Sequence, residues 1–126
     1  MREFTTKELE AAQKAILSTI HKNEKVKVTL SQVQPSRTSQ IAMISRNLRA
    51  LYIASALITR ELDKDFSNNY SKEELEEALQ IIPSFIQNIE KVKPKFREGT
   101  SQHTLAIRRI EAFYIASALI GRDLGL

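Results

Sequence analysis

The sequence predicts an all-α fold: an antiparallel four-helix bundle of two tandem-duplicated helical hairpins, related by an approximate two-fold axis. The main observation is an internal repeat, because residues 38–63 and 100–125 agree at 14 of 26 positions and share the unbroken segment YIASALI. Each copy of a repeat is expected to be one structural unit. Two further observations support the class: apolar residues recur at helical spacing, and only three glycines and three prolines are present.

The repeat extends upstream of this shared segment. Residues 4–27 align with residues 70–93 at an offset of 66, whereas the later block aligns at an offset of 62. The second copy has therefore lost four residues between the two blocks, which marks a loop, since loops absorb deletions at little cost in free energy. Each repeat is predicted to be helix, loop, helix.

Length and composition are those of one globular domain. The chain has 126 residues, of which 42% are hydrophobic and 27% are charged. We predict a single domain over 1–126, with repeat 1 at about 4–63 and repeat 2 at about 70–125. Cysteine is absent, which excludes disulfides and thiolate metal sites. Without a run of about 18 apolar residues or a signal-peptide core, we expect a cytoplasmic protein with no membrane span.

The first and third helices are predicted to begin near residues 6 and 72. Thr5 with Glu8, and Ser71 with Glu74, have the spacing of a capping box, in which a hydroxyl and a carboxylate satisfy free backbone N–H groups reciprocally. Pro83 lies inside the third helix, where it is expected to remove one hydrogen bond and produce a kink.

The second and fourth helices carry apolar residues at heptad spacing. In the second helix the predicted core stripe is Ile41, Ile44, Leu48, Leu51, Ser55, Ile58 and Leu62. In the fourth helix it is His103, Ala106, Ile110, Phe113, Ser117, Ile120 and Leu124. Thr38 and Thr100 are predicted N-caps, and Gly125 is predicted to end the last helix. We expect Ser55 and Ser117 to permit a close approach of these helices, each hydroxyl bonding the carbonyl one turn back.

The segment YIASALI is apolar or small at all seven positions, although a helix needs only one buried stripe. Ile53 and Leu57 fall on the far side of the second helix, about 200° and 240° from Leu51. A pair of aliphatic residues framed by arginines is typical of a partner interface. The predicted partner face therefore has Ile53, Leu57, Ile115 and Leu119 as anchors and Arg46, Arg60, Arg108 and Arg122 as a rim. The alternative is that both helices are buried nearly all round.

These patterns favour a small non-enzymatic protein, a protein–protein interaction or self-association module that binds a protein partner or forms a homodimer. No clustered metal ligands, glycine-rich phosphate loop or nucleophile–base pattern is found, so we expect no catalytic residue, cofactor or metal. Tyr52 and Tyr114 are interpreted as boundary residues with buried rings. The alternative interpretation is that they frame a ligand cleft.

Two other functions are considered. Residues 1–63 hold ten Lys/Arg against six Asp/Glu, and residues 64–126 hold nine against nine, so the net charge of +4 lies in the first repeat. A nucleic-acid-binding protein would use these first-repeat basic residues, although so modest an excess is more typical of a solvated surface. Arg97 and His103 are separated by five residues, a spacing that resembles the R-x(4–6)-H motif of HEPN-type ribonucleases. That resemblance implies a shared catalytic cleft for the two side chains.

Overall fold

The protein has four α-helices, as predicted. The structure, a computed structural model, describes residues 3–33, 35 and 37–126. The helices are α1 (Thr6–Ser31), α2 (Thr38–Leu62), α3 (Lys72–Val92) and α4 (Ser101–Asp123), and a short 3-10 helix (Lys93–Lys95) follows α3. The described residues contain no strand, and the helices pack against one another as a bundle. The all-α prediction is confirmed, whereas the tandem duplication and the antiparallel arrangement stay predictions.

The helix starts follow the predicted capping chemistry in three of four cases. Both bonds of the capping box are present at Thr5 and at Ser71, with N···O distances of 2.9–3.1 Å. The hydroxyl of Thr100 accepts from the backbone N–H of His103 at 3.3 Å. The prediction for Thr38 is wrong, because α2 already begins there and its N-cap, Arg37, makes no side-chain capping bond.

Helix ends are set by backbone geometry. α4 ends before Gly125, whose φ of +78° is in the left-handed region that glycine tolerates. The backbone N–H of Leu126 bonds the carbonyl of Gly121 at 2.9 Å, which closes the helix end. α3 continues through Pro83 to Val92, so the missing N–H does not divide the helix.

α2 and α4 lie at the centre of the bundle. Each of them contacts the other three helices, whereas α1 and α3 pack mainly on α2 and α4. Buried residues from all four helices form one apolar core. Ala54 and Ala116, beside Ser55 and Ser117, are fully buried, which fits the expected close approach of α2 and α4.

α2 is long and apolar enough, by length and composition, to cross a membrane. It also supplies eight buried residues to the core. A core helix of a soluble protein meets the same criteria, so this property alone does not place α2 in a membrane.

Candidate functional site

The four anchors of the predicted partner face are buried inside the chain. Their exposed fractions are 5% for Ile53, 0% for Leu57, 7% for Ile115 and 0% for Leu119. The expectation that they form an outward surface is therefore wrong. The physical reason is the central position of α2 and α4, whose second apolar side packs on a neighbouring helix. Ile53 lines a groove together with α3, and Ile115 lines one together with α1.

Two of the predicted rim arginines join α2 to α4. Arg60 donates two hydrogen bonds to the carboxylate of Asp123, at 2.9 and 2.6 Å. Arg122 lies 3.5 Å from Glu61, and its guanidinium sits 5.9 Å from the ring centre of Phe4. The bonds to Asp123 are the largest cause that raises the pKa of Arg60 above its ordinary value. These two arginines hold the chain together instead of framing an interface.

The other two rim arginines are exposed. Arg46 lies 3.5 Å from Glu77 of α3, and Arg49 lies 3.7 Å from the same carboxylate oxygen. Arg108 lines the groove between α1 and α4 beside Glu111. Of the four rim arginines, Arg60 and Arg122 therefore form ion pairs between α2 and α4, and Arg46 and Arg108 are exposed cations.

Tyr52 and Tyr114 do not share a cleft. Tyr52 lines the groove between α2 and α3, about 200 Å³ in volume, while Tyr114 lines the groove between α4 and α1. Both side chains are exposed. The Tyr52 hydroxyl donates to Glu24 at 2.7 Å, and this bond is the main cause that raises its pKa.

The two core serines have different surroundings. The Ser55 hydroxyl donates to the side-chain oxygen of Gln13 at 3.0 Å, and the Gln13 amide donates to Thr59 at 2.6 Å. The Ser117 hydroxyl is buried and has no hydrogen-bond partner among the residues that the structure describes. The expected bond to the carbonyl one turn back is thus wrong at both positions. The aligned residue for Gln13 in the second repeat is Leu79, which cannot bond a hydroxyl.

Positive charge is concentrated in two segments of the chain, each of which joins one helix to the next. We define the basic end as residues 22–45 and 90–109, which run from the last turns of α1 to the first turns of α2 and from the last turns of α3 to the first turns of α4. These segments hold ten Lys/Arg against three Glu, a net charge of +7, while the rest of the chain holds nine against twelve, a net charge of −3. Lys22, Val26, Ile89 and Arg109 line one groove, so both segments reach the same region.

The cations of the basic end are unpaired. Within the described part of the chain, none of these ten lysines and arginines forms an ion pair, and every ion pair has its cation in the remainder of the protein. Large apolar side chains are also exposed among them. They are Val26, Val28, Met43, Val92 and Leu105. This region combines unneutralised positive charge with exposed aliphatic surface.

Charge summed over the two halves of the chain does not reveal this arrangement. The excess of positive charge is not confined to the first repeat. Lys91, Lys93 and Lys95 of the second repeat belong to the basic end together with the lysines at the end of α1. A sequence signal exists, because the tetrapeptide EKVK ends the first helix of both copies, at 24–27 and 90–93.

The other predicted chemistry does not come together. Arg97 is exposed in the connection before α4, and it does not line the groove in which His103 lies with Lys93, Phe96 and Ile110. The described residues contain no group of three or more His, Cys, Asp or Glu side chains that could hold a metal ion.

Comparison with known proteins adds no relative. No protein-family model, curated protein or solved structure matches this chain.

Proposed function

We propose that this chain is a small non-enzymatic interaction module whose basic end binds an acidic protein partner. The observation that carries the proposal is that the basic end holds ten cations with no ion pair among the described residues, together with five exposed aliphatic side chains. Charged groups of opposite sign on a partner would accelerate encounter and select orientation. The aliphatic side chains would supply the apolar contact area that a specific interface needs.

The apolar component favours a protein over a nucleic acid. Single-stranded nucleic acids are bound by basic grooves in which bases stack on aromatic side chains. The exposed large apolar residues that the structure describes at the basic end are valine, methionine and leucine, whereas the rings of Phe96 and His103 are half-buried in a groove that Glu90 and Glu98 also line. A homodimer through this end is also disfavoured, because two surfaces of net charge +7 repel each other.

Fluorescence anisotropy with defined probes tests the proposal. The first probe is a labelled synthetic amphipathic helix with leucine on one face and glutamate on the other, called the Leu/Glu helix below. The second probe is polyglutamate of the same length. DNA in single- and double-stranded form, and vesicles of phosphatidylserine and phosphatidylcholine, represent the other anionic surfaces. We expect the Leu/Glu helix to bind more tightly than polyglutamate, with an affinity that falls as salt is added.

Matched variants locate the binding surface. The triple variant Lys91→Gln, Lys93→Gln, Lys95→Gln removes three charges from the basic end. The control Lys7→Gln, Lys14→Gln, Lys64→Gln removes the same number from the remainder of the chain. Equal loss of binding in both variants would refute the assignment to the basic end. Binding of DNA alone would establish the nucleic-acid alternative, and binding of vesicles alone would establish a membrane surface as the target.

A further inference from the structure

A groove beside the basic end lies between α1, α3 and α4. Its apolar lining includes Val26 of α1, Phe85 and Ile89 of α3, and Phe113 of α4, and its volume is about 210 Å³. The rings of Phe85 and Phe113 stack with their centres 5.1 Å apart, which gives the groove an aromatic wall. Pockets for whole small molecules usually measure about 300–1,000 Å³, so this groove suits one or two side chains of a larger partner.

The polar side chains of this groove are cationic or neutral. Lys22 and Arg109 line it together with the amides of Asn23 and Asn88, and no carboxylate is part of the lining. Two other interhelical grooves differ in this respect. Glu74 and Glu77 line the groove between α2 and α3, and Glu8 and Glu111 line the groove between α1 and α4. Of these three grooves, the one with Arg109 is complementary to negative charge.

Arg109 has an unsatisfied donor in this setting. Its Nε atom is buried and has no hydrogen-bond partner among the residues that the structure describes. A buried charged donor without an acceptor is unfavourable. Arg109 also lines the groove, and a guanidinium pairs well with a carboxylate that accepts two parallel hydrogen bonds. The aligned position in the first repeat is Asn47, so this cation belongs to one groove and not to the repeat as a whole.

We propose that the Arg109 groove seats an acidic amphipathic helix of the partner protein, with a partner carboxylate on Arg109 and a partner aliphatic side chain against Phe85 and Ile89. Lys22 supplies a second positive charge at the edge of the groove. This inference rests on the proposed function, because it names the groove beside the basic end that would distinguish one acidic partner from another.

The test uses the full chain and the labelled Leu/Glu helix. Arg109→Gln removes the charge and the paired donors, Arg109→Lys keeps the charge but not the planar fork, and Arg108→Gln is the matched control because Arg108 lies outside this groove. We expect Arg109→Gln to raise the Kd about ten-fold or more and Arg109→Lys to raise it by an intermediate factor, whereas Arg108→Gln should raise it by less than about three-fold. Thermal unfolding checks that each variant is folded.

A spectroscopic readout separates a direct contact from a general loss of charge. In ¹⁵N NMR spectra, the Arg109 Nε–H signal should move on addition of the Leu/Glu helix and stay in place on addition of a Leu/Gln helix. Equal Kd values for Arg109→Gln and Arg108→Gln, with an unmoved Arg109 signal, would overturn the groove assignment and leave the proposed function standing. No binding of the Leu/Glu helix to the unmodified protein would overturn both.

Discussion

Ser55 and Ser117 occupy aligned positions in α2 and α4, yet their replacement by alanine should change stability in opposite directions. The Ser55 hydroxyl donates to Gln13 at 3.0 Å, and Gln13 in turn bonds the Ser55 carbonyl at 3.2 Å and the Thr59 hydroxyl at 2.6 Å. The Ser117 hydroxyl is buried with no hydrogen-bond partner in the described part of the chain. One substitution therefore breaks a network, and the other removes an unpaired polar group.

The expected changes in the free energy of unfolding follow from the hydrogen bonds that each substitution removes. A buried acceptor that loses its donor costs about 1–3 kcal/mol, and the Gln13 oxygen is only half-buried, so the lower value applies. Alanine favours a helix over serine by about 0.5 kcal/mol at both positions. Ser55→Ala should lower the free energy of unfolding by about 0.5 kcal/mol, because the gain in helix propensity offsets half of the loss, whereas Ser117→Ala should raise it by about 0.5–1 kcal/mol.

Urea denaturation followed by circular dichroism measures both changes. Gln13→Leu introduces the residue that the second repeat has at the aligned position, Leu79. This variant is the background in which Ser55→Ala is measured a second time. In that background Ser55→Ala should no longer destabilise the protein, because the side chain that received its hydrogen bond is gone. A loss of stability in Ser117→Ala equal to that in Ser55→Ala would refute the reasoning, since it would mean that the Ser117 hydroxyl is bonded.

Three further predictions concern the backbone and pH. Gly121→Ala should raise the free energy of unfolding by about 0.5–1 kcal/mol, because the nearest atom to an added Cβ is 4.0 Å away; no gain in a urea titration would contradict this. Pro83→Ala should restore a helical hydrogen bond in α3 and raise the same quantity by about 1–3 kcal/mol, with an increase in helical ellipticity as the direct check. The hydrogen bond to Glu24 raises the pKa of Tyr52 above its ordinary value of 10.0 in the folded protein. The stabilisation that this hydrogen bond provides is therefore complete below pH 10 and is lost as the pH rises through the folded-state pKa. Glu24→Gln should lower that pKa in a ¹³C NMR titration of the ring and reduce the fall in stability above pH 10, and an unchanged titration curve would argue against this contact in solution.

Features that depend on a few neighbouring residues were accessible from sequence. Both capping boxes, the glycine at the end of α4 and the number of helices all arise from chemistry within one or two turns. Thr38 shows where local reasoning stops. Its hydroxyl has the right residue type for an N-cap, but the preceding loop lets α2 begin one residue earlier.

The candidate site required the assembled bundle. Periodicity shows that Ile53 and Leu57 lie on a second apolar side of α2, but it does not show what covers that side. From the sequence we predict that this side of α2 faces solvent or a partner protein. In the structure both residues are buried, Ile53 lies beside α3, and α2 packs against all three other helices. The exposed large apolar side chains of the basic end lie outside the predicted partner face.

By itself, the sequence determines the helices and the relation between the copies, since helix propensity, capping and apolar spacing act over a few residues of chain. The tertiary structure decides which apolar sides are buried, and it brings Val26 of the first EKVK into one groove with Ile89, the residue before the second EKVK. Burial and electrostatic potential depend on distances between atoms far apart in the chain, so neither is a property of a segment. The four helices therefore share one core with α2 and α4 at its centre, and the basic end carries the proposed function.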